Sequence, residues 1–154
     1  MKVFQHNTAG GLFSRVEDAL SKNLDNPDAN LFSILDQLDK FRSSDGKFRL
    51  KLCYPELKMC NEWIQTSNPA KESIITGFEA LDLAFKKDSY DKEWKGLGRN
   101  KASNLPTLID DAPNQSNWHC AIGAIVYWPK DKRIPGPKIP GAGVSIVTLY
   151  VKKI

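Results

Sequence analysis

Apolar positions change their period partway along this chain, and the change predicts where helices give way to strands. Lys2, Val3, Phe4 and Gln5 read as a short opening strand, ended by a turn at Asn7, Thr8, Ala9, Gly10 and Gly11. Ser14 followed by Glu17 has the form of a capping box and predicts a short helix over residues 15–22. Beyond the Asn26-Pro27-Asp28 turn, Leu31, Ile34, Leu35, Leu38 and Phe41 recur at helical spacing, with Asp36 and Asp39 on the polar side. They predict a longer helix over residues 31–41, stopped by Ser43, Ser44, Asp45 and Gly46.

Period two then takes over. Phe48, Leu50 and Leu52 alternate with Lys47, Arg49 and Lys51, the pattern of a strand with one wet face. Residues 61–66, which carry Trp63, form a second strand candidate. Residues 74–85 form a third, with Leu81, Leu83 and Phe85 on one face and Asp82 opposite. Residues 86–117 show little periodicity and hold Trp94, Gly96, Gly98 and Pro106; long irregular segments are often functional or mobile. Residues 121–128 and 144–152 read as closing strands, separated by stiff turns at Pro135-Gly136-Pro137 and Pro140-Gly141. Helix early and strands later predict an α+β fold, a mostly antiparallel sheet with one long and one short helix packed on it. With 154 residues and no repeat or linker, the expectation is one globular domain over residues 1–154.

Composition narrows the partners. The 22 cationic and 18 acidic side chains leave a formal charge of only +4, spread along the chain, so no nucleic-acid partner is expected. No apolar run approaches the ~18 residues of a membrane span. The first residues, MKVFQHNTAGG, lack the apolar core of a signal peptide, so the chain is either cytosolic or a mature form whose signal has been removed. Of the three cysteines, Cys53 and Cys60 flank six residues around Tyr54-Pro55, a spacing that a small disulfide loop accommodates; three buried free thiols are the other reading.

Catalytic constellations are poor, and a non-enzymatic protein is expected. His119 and Cys120 are sequence neighbours, which a strand would turn to opposite faces. No nucleophile elbow, zincin helix, P-loop or dinucleotide fingerprint occurs, and Gly96-Leu97-Gly98 reads as a turn. Zinc would need four nitrogen or sulfur ligands, which the irregular cysteine and histidine intervals do not suggest. The chemistry gathers instead in residues 110–118. Asp110, Asp111, Asn114 and Asn117 offer oxygens of the kind calcium takes, or else build an Asx-rich turn. Among the aromatics Trp63, Trp94, Trp118, Tyr127 and Trp128, a sugar could stack on whichever is exposed. Trp118 is the first candidate, and the ligand-contacting set is Asn117, Trp118, His119 and Trp94.

The opening Lys2-Val3-Phe4-Gln5 with its glycine turn resembles the first strand of fibrinogen C-terminal-like domains. The run Asn117-Trp118-His119-Cys120-Ala121-Ile122-Gly123 resembles the region that those domains, and the related intelectin lectins, carry beside a calcium and ligand site. Residues 123–128 and 144–151 fit the same C-terminal half. The middle, from Cys60-Asn61-Glu62-Trp63 to Asn68-Pro69, is similar instead to secreted modules of marine invertebrates. The resemblance implies an extracellular recognition domain, often calcium-supported and sugar-binding, and an oxidising compartment that favours a Cys53–Cys60 bridge. It carries His119, Asp110, Asp111 and Asn117 over as positions of interest, while Cys120 lacks the partner that the family pattern supplies. The expected function is a secreted, lectin-like module with calcium as candidate ion and a glycan or small molecule as partner, alone or in a homo- or hetero-oligomer. Two alternatives stand beside it: a carrier of an apolar ligand such as a pigment or lipid, lined by Trp63, Phe78, Leu83 and Phe85, and a structural component of an extracellular matrix.

Overall fold

The computed structural model describes residues 1–87, 93–102, 105–114, 120–127, 132–137 and 143–152. Eight strands are present among the described residues: β1 (Lys2–Asn7), β2 (Leu31–Ser33), β3 (Phe48–Tyr54), β4 (Met59–Gln65), β5 (Glu79–Leu83), β6 (Gly98–Arg99), β7 (Ile109–Asp110) and β8 (Ile146–Val151). Six of them form one sheet in the order β2-β1-β8-β3-β4-β5, and β6 pairs with β7 separately. Every pairing between strands is antiparallel. The fold is α+β, dominated by antiparallel sheet, with a seven-residue 3₁₀ helix, Leu35–Phe41, packed alongside β1.

The two central strands of the sheet are β8 and β3, and β3 turns back into the β3–β4 hairpin. Its alternation of apolar and charged residues holds the register Leu50 to Trp63 and Leu52 to Asn61. A 3₁₀ turn, Pro55–Leu57, closes the hairpin, and Lys58 takes the left-handed conformation that reverses the chain. Cys53 and Cys60 fall directly opposite each other with Cα atoms 4.2 Å apart, the close spacing of a non-hydrogen-bonded pair, and are joined in a disulfide. Cys120 is free and buried.

One face of the sheet is buried over β1, β8, β3 and most of β4, while no residue of β5 is fully buried. Phe48, Leu50 and Leu52 of β3, Trp63 of β4 and Val147 and Leu149 of β8 are inaccessible to solvent. Each such side chain contributes about 1.5–3 kcal/mol by leaving water. The layer above them has little regular structure and supplies Leu97, Leu108, Ile109, Ile122, Ile134 and Val144 to the same core. Its backbone polar groups still need partners. Inward-facing amides on the sheet provide them. Asn61 exchanges two hydrogen bonds with the backbone of Phe85, donating at 2.8 Å and accepting at 3.0 Å, as a strand neighbour would. Gln65 accepts from Trp63 Nε1 and Leu97 N and donates to the carbonyls of Ser67 and Leu97. Gly96 sits at φ +101, and a Cβ there would come within 2.7 Å of Gln65 Oε1, so only glycine lets this loop reach the amide.

Four elements differ from the sequence pattern. The helix predicted over residues 31–41 starts at Leu35, because residues 31–33 pair with β1 as an edge strand. The N-cap, Ile34, makes no side-chain cap, but the Ser33 hydroxyl just before it accepts from Leu35 N at 3.2 Å. Its Leu35 and Leu38 are fully buried, as the stripe implies. The short helix expected over residues 15–22 is a 3₁₀ helix, Val16–Leu20, without a side-chain cap. The described part of residues 121–128 forms no strand. Cys120 at φ +52 and Gly123 at φ +78 interrupt the extended run, leaving one bridge between Ile122 and Ile109. The apolar residues Ala121, Ile122 and Ala124 are buried nonetheless. In β5 a register shift opposite Glu62 and Trp63 takes Leu81, 39% exposed, off the inward face.

Candidate binding site

The segment beginning at Asp110 is built as a platform around Asn100. The Asn100 amide donates to Asp110 Oδ2 at 3.2 Å and to Thr107 Oγ1 at 2.8 Å. Its oxygen accepts from Asn114 N at 2.8 Å. Asn114, left-handed at φ +65, turns back so that its own oxygen accepts from Lys101 N and Ala102 N. Asp110 Oδ1 accepts from Ala112 N at 2.7 Å. The structure therefore brings Asp110, Asp111 and Asn114 together, but it employs oxygens of Asp110 and Asn114 to hold the chain. Asp110 is 1% exposed, not in solvent. Burial pushes its carboxyl up to about 7, against the opposing pull of its bonds from Asn100 and Ala112. Among the described residues no three His, Cys, Asp or Glu side chains are grouped to hold a metal ion. Asn117, Trp118 and His119 lie outside the described residues.

Trp94, the remaining residue of the expected ligand set, belongs to the interior. It is 2% exposed and meets Trp63 edge-on with ring centroids 4.6 Å apart, with Phe78 and Phe85 at 6.0 and 5.8 Å. The aromatic residues that might have lined an apolar ligand cavity thus pack on one another. Beneath them the Cys120 thiol is faced by the Tyr54 hydroxyl and the Trp94 indole N–H. Desolvation pushes both Cys120 and Tyr54 well up, and Asp111 nearby adds to both shifts. A thiol so protonated and enclosed is a poor nucleophile. His6 is likewise buried: Nε2 lies 2.9 Å from the Gly11 carbonyl, the ring packs edge-on against Phe13, and desolvation lowers its pKa.

A concavity with convergent polar groups lies on the other side of the sheet. Over β8, β3 and β4 the outward side chains of Tyr150, Lys152, Arg49, Lys51 and Glu62 remain accessible, while Thr148 and Cys53 on the same face are buried, and a shallow groove of about 470 Å³ is left there. Arg49, Lys51, Glu62, Tyr150 and Lys152 line it, with Cys53 of the disulfide at one end. The sheet register sets their places. Lys51 lies opposite both Tyr150 and Glu62, and Lys152 N bonds Arg49 O, which puts Lys152 opposite Arg49. Arg49 Nε donates to Glu62 Oε1 at 3.0 Å, so the two long side chains hold each other in place. A second concavity, about 460 Å³, runs along the β5 edge by Asp82, Lys86 and Glu93, with the buried Trp94 at its base. Sequence reasoning read Arg49 and Lys51 only as a wet face. An outward tyrosine in the last strand was the available signal, but its neighbours depend on β8 pairing with β3, a contact between distant parts of the chain.

No protein family, curated protein or solved structure matches this chain. Among the described residues no helix is long and apolar enough to cross a membrane.

Proposed function

We propose that the protein is a secreted, non-catalytic recognition module that binds a glycan in lectin-like fashion on the open face of its sheet. The groove around Tyr150 carries this reading. A tyrosine ring can stack on the C–H face of a sugar, while Arg49 and Glu62, already fixed by their mutual bond, can donate to and accept from its hydroxyls. The rigid strands of β3 and β8 hold these groups in place without a loop rearrangement. The Cys53–Cys60 bridge supports secretion, since disulfides persist in oxidising compartments. Calcium, where bound, would fall to the segment from Asp110 and act on that platform, remote in sequence from the groove.

A glycan array probed with and without calcium tests the reading. Wild-type protein should bind a subset of glycans, and Tyr150→Ala should weaken that binding about tenfold or more with circular dichroism unchanged. Absence of any glycan binding, or full binding by the Tyr150→Ala variant, would overturn it.

A further inference from the structure

The charges around Tyr150 say more about the ligand than that it carries hydroxyls. Outward residues on neighbouring strands form a rectangle, roughly 5 Å across the strands and 7 Å along them. Lys51 and Arg49 occupy its two corners on β3, and Tyr150 and Lys152 the two on the β8 side. Three corners are cationic and the fourth is aromatic. Among the described residues Glu62 is the only carboxylate lining the groove, and it is engaged by Arg49. Lys51 and Lys152 have no ion-pair partner among the described residues, and both are exposed. Beyond Glu62 the open face turns acidic, since Asp82 lies opposite it on β5 and Glu79 lies opposite Ile64. The face is therefore polar from strand to strand, cationic over β8 and β3 and anionic over β4 and β5.

We infer that the groove takes an acidic saccharide, one bearing carboxylate or sulfate groups, with its anionic substituents on Lys51 and Lys152 and a sugar ring on Tyr150. This rests on the glycan reading above and specifies its substrate class. Glu62 is what separates this ligand from a uniformly charged polyanion. A nucleic-acid backbone would run its phosphates past that carboxylate, whereas a saccharide can present a hydroxyl to it. The acidic side of the face fixes the direction in which the saccharide lies, charged groups toward β8 and neutral groups toward β4.

The test titrates the full chain by calorimetry with three probes: a heparin-derived tetrasaccharide, a neutral tetrasaccharide such as maltotetraose, and phosphatidylserine vesicles. The sulfated probe should bind, more weakly as salt is raised, and at least about tenfold more tightly than the neutral one. The double variant Lys51→Gln, Lys152→Gln should lose about tenfold or more for the sulfated probe while keeping any affinity for the neutral one, its melting temperature unchanged because both side chains are exposed. Equal affinity for the two saccharides, or a double variant that binds like wild type, overturns the acidic-ligand inference and leaves the glycan reading standing. Failure of both saccharides across an array-identified concentration range sinks both. Vesicle binding without saccharide binding would replace the inference with a lipid headgroup.

Discussion

Asp110 and His6 are two buried titratable residues whose effects on stability run in opposite directions. Burial raises the Asp110 carboxyl to about 7 from an ordinary 3.8. Its favourable contribution is full below the unfolded value and is lost as pH rises through the folded one. His6 is lowered from 6.5 by desolvation, so the unfolded chain takes up a proton there that the folded chain refuses, and stability falls as pH drops below 6.5. Below pH 6.5 the two oppose each other, so wild-type stability should change less with pH than His6 alone would make it. Asp110→Asn removes one side of that balance. Its stability should decline by about 1.4 kcal/mol per pH unit over the interval in which folded His6 stays neutral. Urea denaturation midpoints at pH 7, 6 and 5 check this. A variant with the same pH dependence as wild type would mean that Asp110 is ionised throughout. Asp39, lowered chiefly by its bond from Lys71, acts only below its ordinary value of 3.8 and so outside this window.

Among the elements, the β3–β4 hairpin and the Leu35–Phe41 helix alongside β1 carry buried side chains whose loss should destabilise the fold. Leu35 is fully buried, and Leu35→Ala should cost about 2–5 kcal/mol in chemical denaturation. Gln65→Ala should cost about 3 kcal/mol, because it strands Trp63 Nε1 and both backbone groups of Leu97 in the interior. Amide exchange at Leu97 should quicken in that variant well before exchange in β3. Alkylation mass shifts report the cysteines. Folded, unreduced protein should take no label, unfolded unreduced protein one at Cys120, and reduced unfolded protein three. Much of this was legible beforehand. The alternation from Lys47 to Leu52 identifies β3, and the stripe of Leu35 and Leu38 identifies buried helix positions. Residues 31–33 misled because Leu31 serves an edge strand while keeping helical spacing to Leu35. Residues 121–124 misled because an apolar run states burial but not backbone conformation, and two left-handed residues break it.

For the molecule as a whole, the sheet divides two kinds of work. Its inner face holds an irregular layer in place through Asn61, Gln65 and, within that layer, Asn100. In the sequence these amides look like solvated positions of period-two strands or of a loop, so the polar scaffold could not be read from composition. In the oxygen-rich run from Asp110, expected as a ligand site, two members tie the chain to itself, a use of their oxygens that composition does not reveal. The outer face was hidden for a different reason. Tyr150 and Lys51 are separated by 99 positions, and only the β3–β8 pairing sets them side by side. Recognition on this outer face is the central claim, and amide chemical-shift mapping tests it directly. The isotope-labelled protein would be titrated with a heparin-derived tetrasaccharide. Shifts clustered at Arg49, Lys51, Glu62, Tyr150 and Lys152 are the predicted result. Shifts confined to residues 110–114 and their neighbours, with the outer face unmoved, would contradict it.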